Sequence, residues 1–233
     1  MLLLDYANEL RMKNPTRRII PFEFDNQSYI IKQPEQPSAV MRWLKGSPQK
    51  AFQREVDRLK ELMSLNAPIP KIYQLDQGFI LMENGGQSVR DWLKSAISNE
   101  QKQQILNDAA KALAQLHEQN LVHGRPYSKD ILWKEGKISF IDFEASSHSK
   151  NLTYNKIRDN LLFIYGLCCE NVPLDQIRKM RDIFAANENR EVWQKTVHFI
   201  EQYKFVYYLL LPFKFMAKKD LKGVYGLFQV FAK

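Results

Sequence analysis

His123-Gly124-Arg125-Pro126-Tyr127-Ser128-Lys129-Asp130-Ile131, followed eleven residues later by Asp142-Phe143-Glu144, is the stretch that decides how this chain reads. A short apolar hairpin links the two parts: Ile131-Leu132-Trp133, a Lys134-Glu135-Gly136-Lys137 turn, then Ile138-Ser139-Phe140-Ile141. The second strand delivers one carboxylate, Asp142, at its end, and Asp130 stands just before the first. Oxygen donors of this kind hold divalent cations. The plainer alternative for Asp142 is an acid that begins a turn. Arg125 is a cation at every biological pH and cannot act as a base. His117, His123, His148 and His198 show no ligand spacing with cysteine, so a zinc site is not expected.

Working outward, a helix is predicted to open at Ser98, which has capping-box spacing to Gln101, with Ile105, Ala109, Leu113 and Leu116 on one face. From about Leu152 onward the pattern is helical. Toward the N-terminus, Arg18 to Lys32 reads as a β-hairpin turning at Asp25-Asn26-Gln27. Pro34, Pro37 and Gly46 then mark an irregular segment, and Ser47-Pro48 opens a helix carrying Phe52, Val56, Leu59 and Met63 at helical spacing. Pro68 and Pro70 are expected to end it. A strand pair follows, with a turn at Gln77-Gly78 and a fully apolar strand Phe79-Ile80-Leu81-Met82. Asn84-Gly85-Gly86 reads as a hinge, dividing the chain into a strand-rich part, 1–83, and a helix-rich part, 84–233.

Composition sets wide bounds. With 45% hydrophobic and 26% charged residues, the 233-residue chain is globular, large enough for one domain or two small lobes. Its net charge of +8 suits phosphorylated ligands, anionic lipid or nucleic acid, or no acidic partner at all. The two cysteines, Cys168 and Cys169, are adjacent in a helical stretch and are not expected to pair. Met1-Leu2-Leu3-Leu4-Asp5 has no basic leader and its apolar run stops at an acid, so a signal peptide is not expected and a cytoplasmic location is.

The nine-residue loop and the Asp142 turn resemble the catalytic loop and metal-binding turn of the protein-kinase-like superfamily. The order of β-rich part, helix, glycine hinge and helical part is similar to that α+β, two-lobed fold. Asp142-Phe143-Glu144, with glutamate in place of glycine, resembles small-molecule kinases of the choline and aminoglycoside type. The lipopolysaccharide-core (Kdo/heptose) kinases share a degenerate glycine loop. This resemblance implies an ATP- and magnesium-dependent phosphotransferase acting on a saccharide or lipid-linked hydroxyl. Lys32, ending Tyr29-Ile30-Ile31-Lys32, would reach the α- and β-phosphates. Glu55 would hold Lys32. Asp130, at the position of the metal-binding asparagine, and Asp142 would take the metal. His123 would organise the loop. Asp159 resembles the acid that braces the loop from the next helix, although a solvated helix position suits it as well. Glu55 also has a reading of its own: it lies on an apolar face, where a carboxylate wants a partner unless it reaches water at the edge.

Two parts of the kinase pattern are absent. No Gly-x-Gly-x-x-Gly precedes Lys32, since Gly46 is the first glycine; a shorter turn, Arg17 and Arg18, or nothing would cover the phosphates. Arg125 stands where kinases carry the proton-accepting aspartate. It clamps an anionic group, or Asp130 or Glu144 doubles as base, or the protein is a pseudokinase that binds nucleotide or regulates a partner. The sequence leaves all three open.

The C-terminal run Phe205-Val206-Tyr207-Tyr208-Leu209-Leu210-Leu211-Pro212-Phe213-Lys214-Phe215-Met216 is too short to span a bilayer, which takes about 20 residues. From Lys204 to Lys233 there are six lysines and one acid, Asp220. Residues 205–233 are therefore expected either to lie on an anionic membrane, at its inner face, or to pack as a final helix pair with lysines outward. Nucleic acid is not an expected partner.

Overall fold

The computed structural model describes residues 2–34, 47–143 and 149–232; Pro37 and Gly46 of the irregular segment lie outside them. The chain divides into two compact units, Met1–Gly85 and Gly86–Lys233.

The first unit is a four-stranded antiparallel sheet between two helices. Its elements are α1 (Leu3–Lys13), β1 (Ile19–Phe24), β2 (Gln27–Lys32), α2 (Pro48–Ser64), β3 (Ile72–Leu75) and β4 (Ile80–Glu83), with strand order β1-β2-β4-β3. The β1–β2 turn is a two-residue loop in which Asp25 and Asn26 both take positive φ (47° and 58°), the twist that tight hairpins favour. Gln27 therefore belongs to the strand.

Side chains alternate along a strand, and both faces of this sheet are covered. Ile20, Tyr29, Ile31, Phe79 and Leu81 point to one face and bury Ala7 of α1, with Leu3 and Leu10 beside it. Ile80 points to the other face, against Phe52 and Val56 of α2. A strand covered on both sides takes apolar residues at successive positions, which is why Phe79 to Met82 reads as an unbroken apolar run. Each fully buried Val or Phe here contributes about 1.5–3 kcal/mol. The helix α1 was not anticipated: its apolar stripe is weak, and the sheet face it covers is what holds it.

Ser47 caps α2, its hydroxyl accepting from the Lys50 N–H. The apolar face of α2 ends on Leu62, which is buried, rather than on Met63, which is exposed. The helix also stops earlier than its prolines suggest. Asn66 turns left-handed (φ 52°), and the Ala67 N–H returns to the Leu62 carbonyl at 2.9 Å, closing the helix after Ser64, ahead of Pro68.

The second unit contains β5 (Gln87–Ser88), α3 (Val89–Lys94), α4 (Asn99–Glu118), β6 (Ile131–Lys134), β7 (Lys137–Phe140), α5 (Leu152–Cys169), α6 (Leu174–Asn187), α7 (Arg190–Gln202), α8 (Lys204–Leu210) and α9 (Lys219–Phe231). A single turn of 3₁₀-helix precedes β6 at Ser128–Asp130, and a longer 3₁₀ stretch follows α8 at Leu211–Met216. Strands β5, β6 and β7 form a small antiparallel sheet. Helix α4 starts where the capping box places it, with the Ser98 hydroxyl accepting from the Gln101 N–H at 3.2 Å, and it buries Ile105, Ala109, Leu113 and Leu116.

Helix α4 packs on α6, and α5 packs on α9 and α7. The α5–α9 contact is close because Gly223 and Gly226 face Cys169 and Cys168; a Cβ at either glycine would collide with a cysteine side chain. The two cysteines are free and buried. Burial pushes the Cys168 thiol up to about 12. Among the described residues no helix is long and apolar enough to cross a membrane.

Candidate active site

In the first unit, alternation sends Lys32 to the face opposite Ile31, the face on which α2 packs. Glu55, the residue before the core residue Val56, meets it there, and the two form an ion pair through Glu55 Oε1. Their side chains are 12% and 28% exposed. Glu55 is thus partnered rather than turned to water. Arg17 and Arg18 are exposed ahead of β1, away from the Asp25-Asn26 turn.

In the second unit the loop 123–130 is tied from three directions. From α5, Asp159 is fully buried and accepts the backbone N–H groups of His123 (2.7 Å) and Gly124 (3.0 Å), while Arg158 donates to the Gly124 carbonyl. Gly124 takes a φ of +92°, a conformation that glycine adopts readily. Burial of this depth excludes the solvated-helix reading of Asp159. From the end of β7, the Ile141 N–H donates to the Asp130 carbonyl at 3.0 Å. The His123 ring in turn donates from Nε2 to the Ile141 carbonyl at 2.9 Å, while its Nδ1 accepts from the Arg125 N–H at 3.3 Å. Phe143 stacks on the His123 ring, centroids 4.8 Å apart. Beneath the turn, the buried Ser128 hydroxyl donates to Glu170 at 2.5 Å. Both backbone polar groups of Ile141 are therefore held by the loop, which fixes where Asp142 emerges. Asp142 itself adopts φ 57°.

Asp130 is 2% exposed. Its Oδ1 lies 3.4 Å from the Lys129 ammonium, and its Oδ2 is buried without a hydrogen-bond partner among the described residues. Burial pushes its carboxyl above the usual range; Lys129 and Arg125 oppose that, and the nearby charge of Asp142 adds to it. The two carboxylates thus feel one another. Arg125 lies 5.7 Å from the Tyr127 ring, a cation–π contact. Glu144, the alternative base, lies outside the described residues.

A divalent cation fits this donor set: two hard carboxylates, one with an orphaned buried oxygen. Among the described residues no three His, Cys, Asp or Glu side chains converge on a metal position. Magnesium needs none, since it is commonly held by one or two carboxylates with phosphate oxygens and water completing the shell.

Two participants escaped the sequence reading. Lys129 touches Asp130, a contact between neighbours that spacing alone does not announce. His117, fully buried at the end of α4, places Nδ1 2.5 Å from Glu188 and Nε2 3.6 Å from Asp159. Burial pulls the His117 imidazolium down, but the Asp159 and Glu188 carboxylates outweigh it and the net direction is up. A histidine one step beyond Leu113 and Leu116 on an apolar face was the available signal.

Known proteins bear on this geometry. An uncharacterized protein of Haemophilus influenzae is 40% identical over 229 residues, 97% of this chain and 95% of that one. The KEOPS complex subunit Bud32 of Pyrococcus abyssi is 26% identical over 93 residues, 39% of this chain and 42% of its own. Among solved structures, the ADP-bound aminoglycoside phosphotransferase APH(2'')-Ib aligns over 98% of both chains, with a TM-score of 0.44 and 12% identity. Residues 42–162, which carry Glu55, the loop and Asp142, match the lipopolysaccharide kinase (Kdo/WaaP) family. That match spans just over half of the chain, and the protein belongs to this family of kinase-like phosphotransferases.

Proposed function

We propose that the protein transfers the γ-phosphoryl group of ATP, with magnesium, to a saccharide or lipid-linked hydroxyl, working in the cytoplasm near the inner membrane face. The observation that carries this reading is the Asp130 carboxylate, buried with one oxygen unpartnered among the described residues and within electrostatic reach of Asp142. A buried acceptor left open in an otherwise tied loop favours a ligand over a structural role.

Phosphoryl transfer depends on positioning and charge neutralisation more than on covalent chemistry. Asp130 and Asp142 would hold the metal, which when bound draws charge from the phosphate oxygens. Lys32, oriented by Glu55, would bind the α- and β-phosphates. Arg125 presents a planar guanidinium suited to clamping an anion, the transferred phosphoryl group or an acidic acceptor. General-base assistance is worth about 10²–10⁴-fold, so a loop with arginine in the base position suits slow transfer or transfer with another carboxylate as base.

A pseudokinase is the second reading, and Arg125 is the observation that favours it. Thermal melts with ATP, with and without magnesium, separate the two when repeated on Asp142→Ala. The phosphotransferase reading expects metal-dependent stabilisation, about 2.7 kcal/mol at a ligand concentration 100-fold above Kd, absent in the variant. A wild type that melts identically under all conditions overturns it. Stabilisation without any turnover of ATP, with or without candidate sugars, favours the pseudokinase.

A further inference from the structure

The C-terminal residues do not behave as one segment. Helix α9 is built into the second unit: Gly223, Tyr225, Gly226 and Val230 are buried against its neighbours. The stretch before it is not. Of sixteen exposed large apolar and aromatic side chains among the described residues, eight fall between Tyr203 and Met216. Phe215 is 85% exposed and Leu209 69%. Scattered apolar residues on a surface mean little, but a contiguous patch marks a contact surface.

The stretch is nonetheless held in place. Tyr207 packs its ring on Tyr225 and Phe228 of α9 at 5.9 and 5.8 Å, and the Tyr225 hydroxyl donates to the Leu210 carbonyl. Its inward side, Val206, Tyr207 and Leu210, therefore meets protein. Its outward side carries Phe205, Tyr208 and Leu209, then Phe213, Phe215 and Met216, where an ordinary surface helix would be polar. The aromatic strip continues through Tyr203 to Phe199, 4.6 Å between centroids. There it joins an open apolar groove of about 350 Å³ walled by Ile157, Leu161, Leu162, Phe199 and Leu227.

Charge identifies the occupant. Lys204, Lys214, Lys218, Lys219 and Lys222 are exposed around the patch, against Asp220 alone among the residues from 204 to 222. A second copy of the chain docking symmetrically would set lysine against lysine, since a two-fold interface pairs a patch with itself. An anionic lipid surface satisfies both components, apolar insertion and attraction to basic side chains. We infer that residues 204–216 form a peripheral docking surface for an anionic bilayer, held on the protein by Tyr207, with the flanking lysines at headgroup level. The exposed patch and its lysine collar carry this inference independently of the phosphotransfer chemistry.

Vesicle flotation of the full chain tests it without nucleotide. Wild type should float with phosphatidylcholine vesicles containing phosphatidylglycerol, far less with phosphatidylcholine alone, and binding should weaken with salt. Phe213→Ser with Phe215→Ser, and separately Lys214→Glu with Lys218→Glu, should each lower binding roughly tenfold or more while keeping the wild-type melt, since all four side chains are exposed. If the apolar pair fails to fold, the charge pair alone decides. Wild type that stays unbound to anionic vesicles overturns the inference. So does binding that survives both variants, or a dimer in sedimentation that the apolar variant dissolves while vesicle binding is absent.

Discussion

Asp159 and Asp130 belong to the same unit and are about equally buried, at 0% and 2% exposure, yet they are treated differently by their surroundings. Asp159 spends both oxygens on backbone N–H groups of His123 and Gly124 and faces the His117 ring. Asp130 has a neighbouring lysine on one oxygen and nothing hydrogen-bonded to the other among the described residues. An unsatisfied buried acceptor is unfavourable by about 1–3 kcal/mol. The loop is thus met at its His123 end by a carboxylate that serves the fold, and carries at its other end one that the fold leaves open.

The largest effect expected from this contrast is at the satisfied end. Asp159→Ala strands two backbone donors and the His117–Glu188 pair, and should cost about 3–5 kcal/mol in urea unfolding. A loss below about 1 kcal/mol would remove the contrast altogether.

At the open end the sign reverses. Asp130→Asn should raise the melting temperature at neutral pH and abolish the magnesium-dependent response to ATP. The sign follows from burial, which raises the Asp130 pKa in the fold. A carboxyl raised on folding contributes stability that is present below its unfolded pKa of about 3.9 and is lost as pH rises through the folded value. The advantage of the asparagine variant should therefore shrink as pH is lowered, and an advantage that grows on acidification contradicts the assignment.

A smaller, graded effect belongs to His117, whose pKa is also raised. Its contribution is complete below the unfolded value near 6.5 and declines as pH climbs through the folded one. Stability measured from pH 6 upward should fall in the wild type and fall less in His117→Gln. The smallest stability change is expected in the first unit. Lys32→Met breaks a partly exposed ion pair and should alter stability by about 1 kcal/mol or less, while titrations of ATP lose most of their response. A large destabilisation with nucleotide binding intact would make Lys32 a structural residue.

Much of this was legible in the sequence because it rests on local signals. Alternation placed β1, a turn followed by β-branched and aromatic residues placed β2, an unbroken apolar run placed β4, a proline after Ser47 began α2, and Ser98 with Gln101 began α4. Lys32 and Glu55 could be paired in advance because the resemblance to kinases supplies such a pair and because Glu55 falls on an apolar helix face, where a carboxylate wants a partner. What stayed hidden depends on tertiary closure. Helix α1 has too weak a stripe to declare itself and exists because a sheet face needs covering. Leu62 replaces Met63 in the core by a small rotation of α2 that periodicity alone does not resolve. Glu188 meets His117 across 71 residues of sequence, and no local pattern links them. The tail was read as two alternatives, membrane contact or helix packing; α9 packs, and the segment before it is exposed.

The glycines that let α9 approach α5 have a consequence for reactivity over time. Gly223 and Gly226 cover Cys169 and Cys168, and the Cys168 thiol, held near 12, is almost wholly in its inert protonated form. Both sulfurs become nucleophilic when the final helix lifts away and water reaches them. The adjacent pair is thereby a built-in clock for detachment of the C-terminus: the rate at which a thiol reagent labels the folded protein reports how often α9 leaves its seat.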